Sequence, residues 1–170
     1  MNRHPGGEEN TRRLIELAKL PSGASVLDMG AGAGETLNLL RLLGFEARGI
    51  DREARGEGVE KGDFLRAPYP DGSFDAVIGE CAFFVSGDQA GALREARRLL
   101  KDGGLLLLSD VFFDEPEQML TGAGFEILCC EDQTDAWREY YLEALWRGDA
   151  PCCELPKGKA SYFSLIGRKV

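Results

Sequence analysis

A chain of 170 residues with 29 acidic and 20 basic side chains carries a net charge of −9. That balance disfavours nucleic acid as a partner, because affinity for phosphate backbones rests largely on Lys and Arg. Hydrophobic content of 44% and charged content of 29% suit one globular domain with a sizeable core. No apolar run approaches the roughly 20 residues that span a bilayer, and "MNRHPGGEEN" lacks the apolar segment of a secretory signal. A cytoplasmic protein without a membrane partner is therefore expected.

In chain order, "NTRRLIELAKL" reads as a helix with Leu14, Ile15, Leu17 and Ala18 on one face and Asn10 or Thr11 as its cap. "ASVLDM" is a strand, "ETLNLLRLL" a helix, and "FEARGI" a second strand reaching Asp51. "DREARGEGVEKGDF" is too broken by glycine for a regular helix. "FDAVIGE" and "GLLLLSDV" are buried-strand patterns. The helix "DQAGALREARRLL" lies between them, with Leu93, Ala96, the Arg97 stem and Leu100 inward and Gly103-Gly104 as its stop. Pro116 opens a short helix, and "FEILCC" and "SYFSLIGRK" are the last strands. Between those two strands Trp137, Tyr140, Tyr141, Ala144 and Leu145 mark an amphipathic helix over about 135–147. Trp137, Tyr140, Tyr141 and Leu145 are expected to bury one face of it, with the opposite edge roofing a pocket.

Alternating strands and helices with continuously apolar central strands indicate an open, doubly wound α/β domain, its parallel sheet covered on both faces. Five cysteines, Cys81, Cys129, Cys130, Cys152 and Cys153, are expected as thiols. The adjacent pairs lack the C-x-x-C spacing of a zinc site, so no structural metal is expected.

In such a sheet the ligand sits where strand order reverses, at the carboxyl ends of the strands. Gly30, Gly32 and Gly34 occupy that place after the first strand. Their pattern is Gly-x-Gly-x-Gly, with Glu35 where the dinucleotide fingerprint has its last glycine. A pyrophosphate between Asp28 and Glu35 would meet like charge from both sides. S-adenosylmethionine (SAM) removes the conflict, since it carries a sulfonium, an ammonium and one carboxylate, with no phosphate. Asp51, at the end of the second strand, is placed to accept ribose hydroxyls, a need that NAD and SAM share.

At these residues the sequence resembles the class I SAM-dependent methyltransferases. "VLDMGAGAG" looks like their first motif, "GIDRE" their second and "KGDF" their adenine segment. "PYPDGSFDAVIGECAFF" resembles the approach to and exit from their fourth strand, and "EARRLLKDGGLLLLSDV" the helix and fifth strand that follow. The resemblance covers about residues 10–130 plus a final strand at 160–168. It implies a seven-stranded, mostly parallel Rossmann-like sheet whose last strand is antiparallel.

By position it implies Asp28, Gly30, Ala31 and Gly32 at the methionine part, and Asp51 and Arg52 at the ribose. Asp63 and Phe64 would flank the adenine, and Glu80 and Cys81 would border the methyl group. It further implies one methyltransferase domain over 1–170, with 1–20 as an N-terminal cap segment and helix and 131–159 as an inserted helix and loop serving as a lid. The reading is transfer of a methyl group to a small-molecule acceptor. The alternatives are a non-catalytic SAM-binding sensor and a thiol-assisted metalloid methyltransferase using Cys81. Only 12 positions separate Asp51 from Asp63, where the family usually inserts a helix and a strand. No catalytic base is identified; the single histidine, His4, lies in a tail that could fold over the pocket or fray into solvent.

Overall fold

Seven strands form one sheet in the order β3-β2-β1-β4-β5-β7-β6 in the computed structural model, which describes residues 4–148 and 159–170. The elements are α1 (Gly7–Ala18), β1 (Ser25–Met29), α2 (Glu35–Leu42), β2 (Glu46–Asp51) and β3 (Val59–Lys61). They continue as β4 (Phe74–Glu80), α3 (Gln89–Leu99), β5 (Leu100–Phe112), α4 (Pro116–Gly122), β6 (Phe125–Asp132), α5 (Thr134–Arg147) and β7 (Ser161–Lys169). The strands from β3 across to β5 are joined in parallel, and β7 runs antiparallel to both β5 and β6. Strand order reverses between β1 and β4, which opens a crevice above their carboxyl ends.

Alternation along the central strands supplies two cores. Val26, Ala76, Ile78, Leu107 and Ile166 pack with Leu14 and Ile15 of α1 and Leu37 and Leu40 of α2. Their neighbours Leu27, Val77, Leu106, Leu108 and Leu165 pack with Leu93, Ala96 and Leu99 of α3 and Leu120 of α4. Successive side chains point to opposite faces of a strand, so a sheet buried on both faces needs apolar residues at every position.

Four local expectations are corrected. α1 begins a turn earlier, capped by Gly6 at φ 74°, so Asn10 and Thr11 are not caps. Both are buried within the helix, because the sheet beneath offers polar partners: Asn10 Nδ2 donates to Ser109 Oγ (3.1 Å) and Ser164 Oγ (3.3 Å). Leu17, expected on the inner face, is 45% exposed.

α3 stops at Leu99, four residues before the glycines expected to end it. Leu100 already pairs with Phe74 in β5, and a register shift before Ala76↔Leu105 absorbs Lys101–Gly104. In α5, Trp137, Tyr141 and Ala144 are buried, whereas Leu145 is 56% exposed and Tyr140 only partly covered. Residues three, four and seven apart define one inner face, and Leu145 falls just past it. No described helix is long and apolar enough to cross a membrane.

Candidate functional site

Above the β1/β4 switch point lies a cavity of about 930 Å³. The glycine loop forms its floor. Gly30 and Ala31 N–H both donate to Ile50 O (2.9 and 3.2 Å), which ties the loop to the end of β2. Gly30 has φ 89°, and a Cβ there would collide with that of Ala82, so only glycine fits between the two strand ends. Asp51, closing β2, accepts Gly32 N–H on Oδ2 (2.9 Å) and Glu53 N–H on Oδ1 (2.7 Å). Those two bonds fix the carboxylate while leaving lone pairs for a ligand.

Carboxylates crowd the floor. Asp28 is 3% exposed and its Oδ2 has no hydrogen-bond partner among the described residues. Burial, reinforced by the charges of Glu80 and Asp51, holds its carboxyl well above the usual range. Glu80, at the end of β4, accepts from Thr11 Oγ1 on Oε1 (2.9 Å) and from Thr36 Oγ1 on Oε2 (2.8 Å). His4 Nε2 stands 3.7 Å from the same Oε2, which places the tail imidazole in the cavity wall.

Nine of the ten expected site residues line this cavity: Asp28, Gly30, Ala31, Gly32, Asp51, Arg52, Phe64, Glu80 and Cys81. Asp63 stands just outside it. Its Oδ2 accepts from Arg52 Nη2 (2.8 Å) and its Oδ1 caps the short 3₁₀ turn at Leu65 N–H (3.0 Å). Phe64 stacks on Phe83 with ring centroids 5.9 Å apart. Cys81 sits at φ 52° with its Sγ 3.4 Å from the Tyr162 hydroxyl. Burial, then Cys81, pushes the Tyr162 phenol well up. Val111 and Trp137 pack against the same cluster.

Sequence reasoning missed several wall residues. Thr36 and Arg55 line the cavity, as do Tyr140, Glu143, Ala144 and Arg147 of α5. The sequence marks α5 as a helix with a roofing edge, but which of these residues reach the cavity is decided by packing of distant segments. Cys129 and Cys130 lie on β6, outside the cavity lining. Cys152 and Cys153 fall outside the described residues, as does most of the loop expected to complete the lid.

Asp110, fully buried beneath the β4–α3 loop, accepts from the amides of Phe83 (2.8 Å), Phe84 (3.1 Å) and Val111 (2.8 Å). Burial outweighs those bonds and raises its carboxyl to about 6. Between about pH 4 and 6 the folded state therefore retains a proton that the unfolded chain has released. The Asp110 contribution to stability is full below that window and is lost as pH rises through it, by about 3 kcal/mol. Urea midpoints at pH 4.5 and 7 should fall more steeply in the wild type than in Asp110→Asn. Parallel pH profiles would show that Asp110 is not the group responsible.

The site therefore combines a close-approach glycine cradle, a carboxylate at the end of β2 and a buried carboxylate with one oxygen unpartnered within an acidic floor. These residues fit a nucleoside ligand that carries positive charge and no phosphate. The sequence agrees with that chemistry: residues 3–164 match a family profile described as a methyltransferase domain.

The chain belongs to the class I SAM-dependent methyltransferases.

Among its relatives is an arsenite methyltransferase of Aquipseudomonas alcaligenes, 32% identical over 120 residues, which cover 56% of this chain and 35% of that protein. A demethylmenaquinone methyltransferase of Thermus thermophilus is 34% identical over 113 residues, 57% of this chain and 51% of that one. This family member thus spans about half or less of the length of those relatives. In fold it is similar to phosphoethanolamine N-methyltransferase 2 of Haemonchus contortus, solved with phosphomonomethylethanolamine and S-adenosylhomocysteine. That likeness has a TM-score of 0.76 at 16% identity and covers 98% of this chain and 54% of the other.

Proposed function

We propose that this chain binds SAM in the cavity above the glycine loop and transfers its methyl group in line to a small-molecule acceptor. The observation that carries the reading is the buried Asp28 carboxylate, its Oδ2 without a partner among the described residues, beside Glu80 and Asp51. Three acids around a nucleoside cradle favour a cationic ligand and disfavour a dinucleotide. When bound, SAM supplies a methyl group on a sulfonium, already activated for displacement.

The chain's own residues bind, orient and enclose. Gly30, Ala31 and Gly32 give close backbone approach, Asp28 faces the cationic amino-acid part, and Asp51 with Arg52 holds the ribose. Phe64 packs on the adenine, and Asp63 acts at that edge through Arg52. Glu80, gripped by Thr11 and Thr36, and Cys81 border the transferred group. Holding nucleophile and methyl in line can carry much of the rate. α5 is the lid: Tyr140, Glu143, Ala144 and Arg147 are its wall residues in the cavity, and a roof there excludes water.

Relatives named for arsenite and demethylmenaquinone support an acceptor of small-molecule size. A packing role for Cys81 is favoured over metalloid chemistry, since its thiol is engaged by Tyr162 and no second described cysteine lines the cavity.

Thermal melts with SAM, S-adenosylhomocysteine and NAD test the cofactor, because a ligand of the folded state raises the melting temperature by mass action. The two SAM compounds should raise it and NAD should not; the reverse pattern would sink the reading. In calorimetry, Asp51→Ala should weaken SAM binding about ten- to a hundredfold, the range for a hydrogen bond to a charged group. An unchanged affinity in a folded variant removes Asp51 from the site. A stoichiometric methylated product distinguishes an enzyme from a SAM sensor.

A further inference from the structure

The connection from β2 to β3 runs only from Arg52 to Gly58, too short for the helix that usually fills this wall. It folds back onto the glycine loop instead. Arg55 and Gly56 N–H both donate to Gly32 O, at 3.0 and 3.2 Å. Gly56 has no room for a side chain, because a Cβ would overlap the Ala33 carbonyl. One loop is thus clamped on the other, and the clamp sets the backbone of Arg55 directly against the cofactor cradle.

The Arg55 side chain then reaches over that cradle. Its Nη2 lies 3.6 Å from the point a Cβ on Gly32 would occupy, and Asp51 Oδ2 lies 4.0 Å from the same point. Among the described residues, three arginines and His4 line the cavity. Arg52 is bound to Asp63, Arg147 to Glu143 at 3.1 Å, and His4 faces Glu80. No hydrogen bond or ion pair joins the Arg55 guanidinium to a described residue.

Such a guanidinium, in a wall otherwise rich in carboxylates, is matched to an anion, and its planar fork suits a carboxylate in particular. SAM has one anionic group. We propose that Arg55 is the partner of the methionine carboxylate, a role opened by replacing the usual helix with this short clamped loop. The inference rests on the SAM reading above. Arg55 acts on affinity and on the direction of the amino-acid tail; it takes no part in methyl transfer itself.

Calorimetry on the full chain tests this with two ligands. One is S-adenosylhomocysteine, and the other is 5′-deoxy-5′-(3-aminopropylthio)adenosine, which keeps the amine and lacks the carboxylate. Arg55→Ala should weaken S-adenosylhomocysteine about tenfold, the low end for a charge-assisted bond at an exposed side chain, and leave the amine analogue unchanged. Arg55→Lys should keep most of the affinity, since the charge remains. Equal losses for both ligands would overturn the assignment and move Arg55 to the ribose, and so would an unchanged affinity for S-adenosylhomocysteine. If neither ligand binds the wild type, the SAM reading itself fails and this inference falls with it. Circular dichroism of each variant confirms that the fold is retained.

Discussion

Trp137→Ala is expected to lower the stability of the fold by about 3–5 kcal/mol, the cost of truncating a large buried aromatic. Trp137 is 3% exposed; it stacks on Tyr162 at 6.1 Å and meets Tyr141 edge-on at 6.4 Å. It is the main anchor of α5 to β7, and through Tyr162 it backs the strand end that carries Cys81. Loss of the indole leaves a void that a helix held on one side cannot close without moving. The matched control is Leu145→Ala on the exposed face, where the cost should stay within about 0.5 kcal/mol. Urea denaturation followed by circular dichroism measures both. Similar losses for the two variants would mean that α5 is not held by its Trp137–Tyr141–Ala144 face.

Asp28→Asn is expected to act in opposite directions on stability and on binding. The Asp28 carboxyl is raised by burial and by two neighbouring acids, so its ionisation opposes folding. That raised group contributes fully below the ordinary carboxylate pKa, and its contribution is lost as pH rises through the folded value. Asparagine removes the charge and the repulsion, so the ligand-free variant should be more stable at pH 8 than the wild type, by about 1 kcal/mol or more. The same change takes away the acid proposed to face the cofactor's ammonium. SAM and S-adenosylhomocysteine should therefore bind at least about tenfold more weakly. 5′-Methylthioadenosine, which has no amino-acid part, should be unaffected. Denaturation at pH 8 and calorimetry with the three ligands check both halves. A variant that is destabilised and binds normally would return Asp28 to an ordinary core role.

This opposition is the expected signature of a site built for a charged ligand. The fold tolerates an unpartnered Oδ2 on buried Asp28 and a crowded acidic floor because the bound cation would relieve both. Asp110 differs, since the amides of Phe83 and Phe84 tie it to the β4–α3 loop whether or not a ligand is present. Its pH dependence should therefore persist in the ligand-bound protein.

Much of the fold is legible in the sequence. Period-two alternation does not appear in Ser25–Met29 or Phe74–Glu80, and that lack of a polar face is what a strand covered on both sides requires. The Gly30–Gly34 turn is equally local, because positive φ at three alternate positions needs glycine whatever packs around it. Local rules fail where they meet a tertiary alternative. Asn10 and Thr11 are good caps in isolation, yet Ser109, Ser164 and Glu80 offer them better partners from β5, β7 and β4. Gly103-Gly104 is a good helix stop in isolation, yet pairing of Leu100 with Phe74 begins β5 before the helix could reach it.

By itself, then, the sequence determined the strand–glycine loop–helix cradle, the carboxylate at the end of β2 and the order of elements that brings them to the switch point. Those features depend on backbone conformation and on residue spacing within one segment, both of which short-range chemistry dictates. Tertiary structure alone decided that Glu80 is gripped by Thr11 and Thr36 and that Cys81 is engaged by Tyr162. It also decided which residues of α5, Tyr140, Glu143, Ala144 and Arg147, line the cavity and that Arg55 hangs over the glycine loop. Each of these joins segments far apart in the chain or turns on which way an exposed loop folds back. Such contacts depend on the register and closure of the whole sheet, which no local pattern encodes.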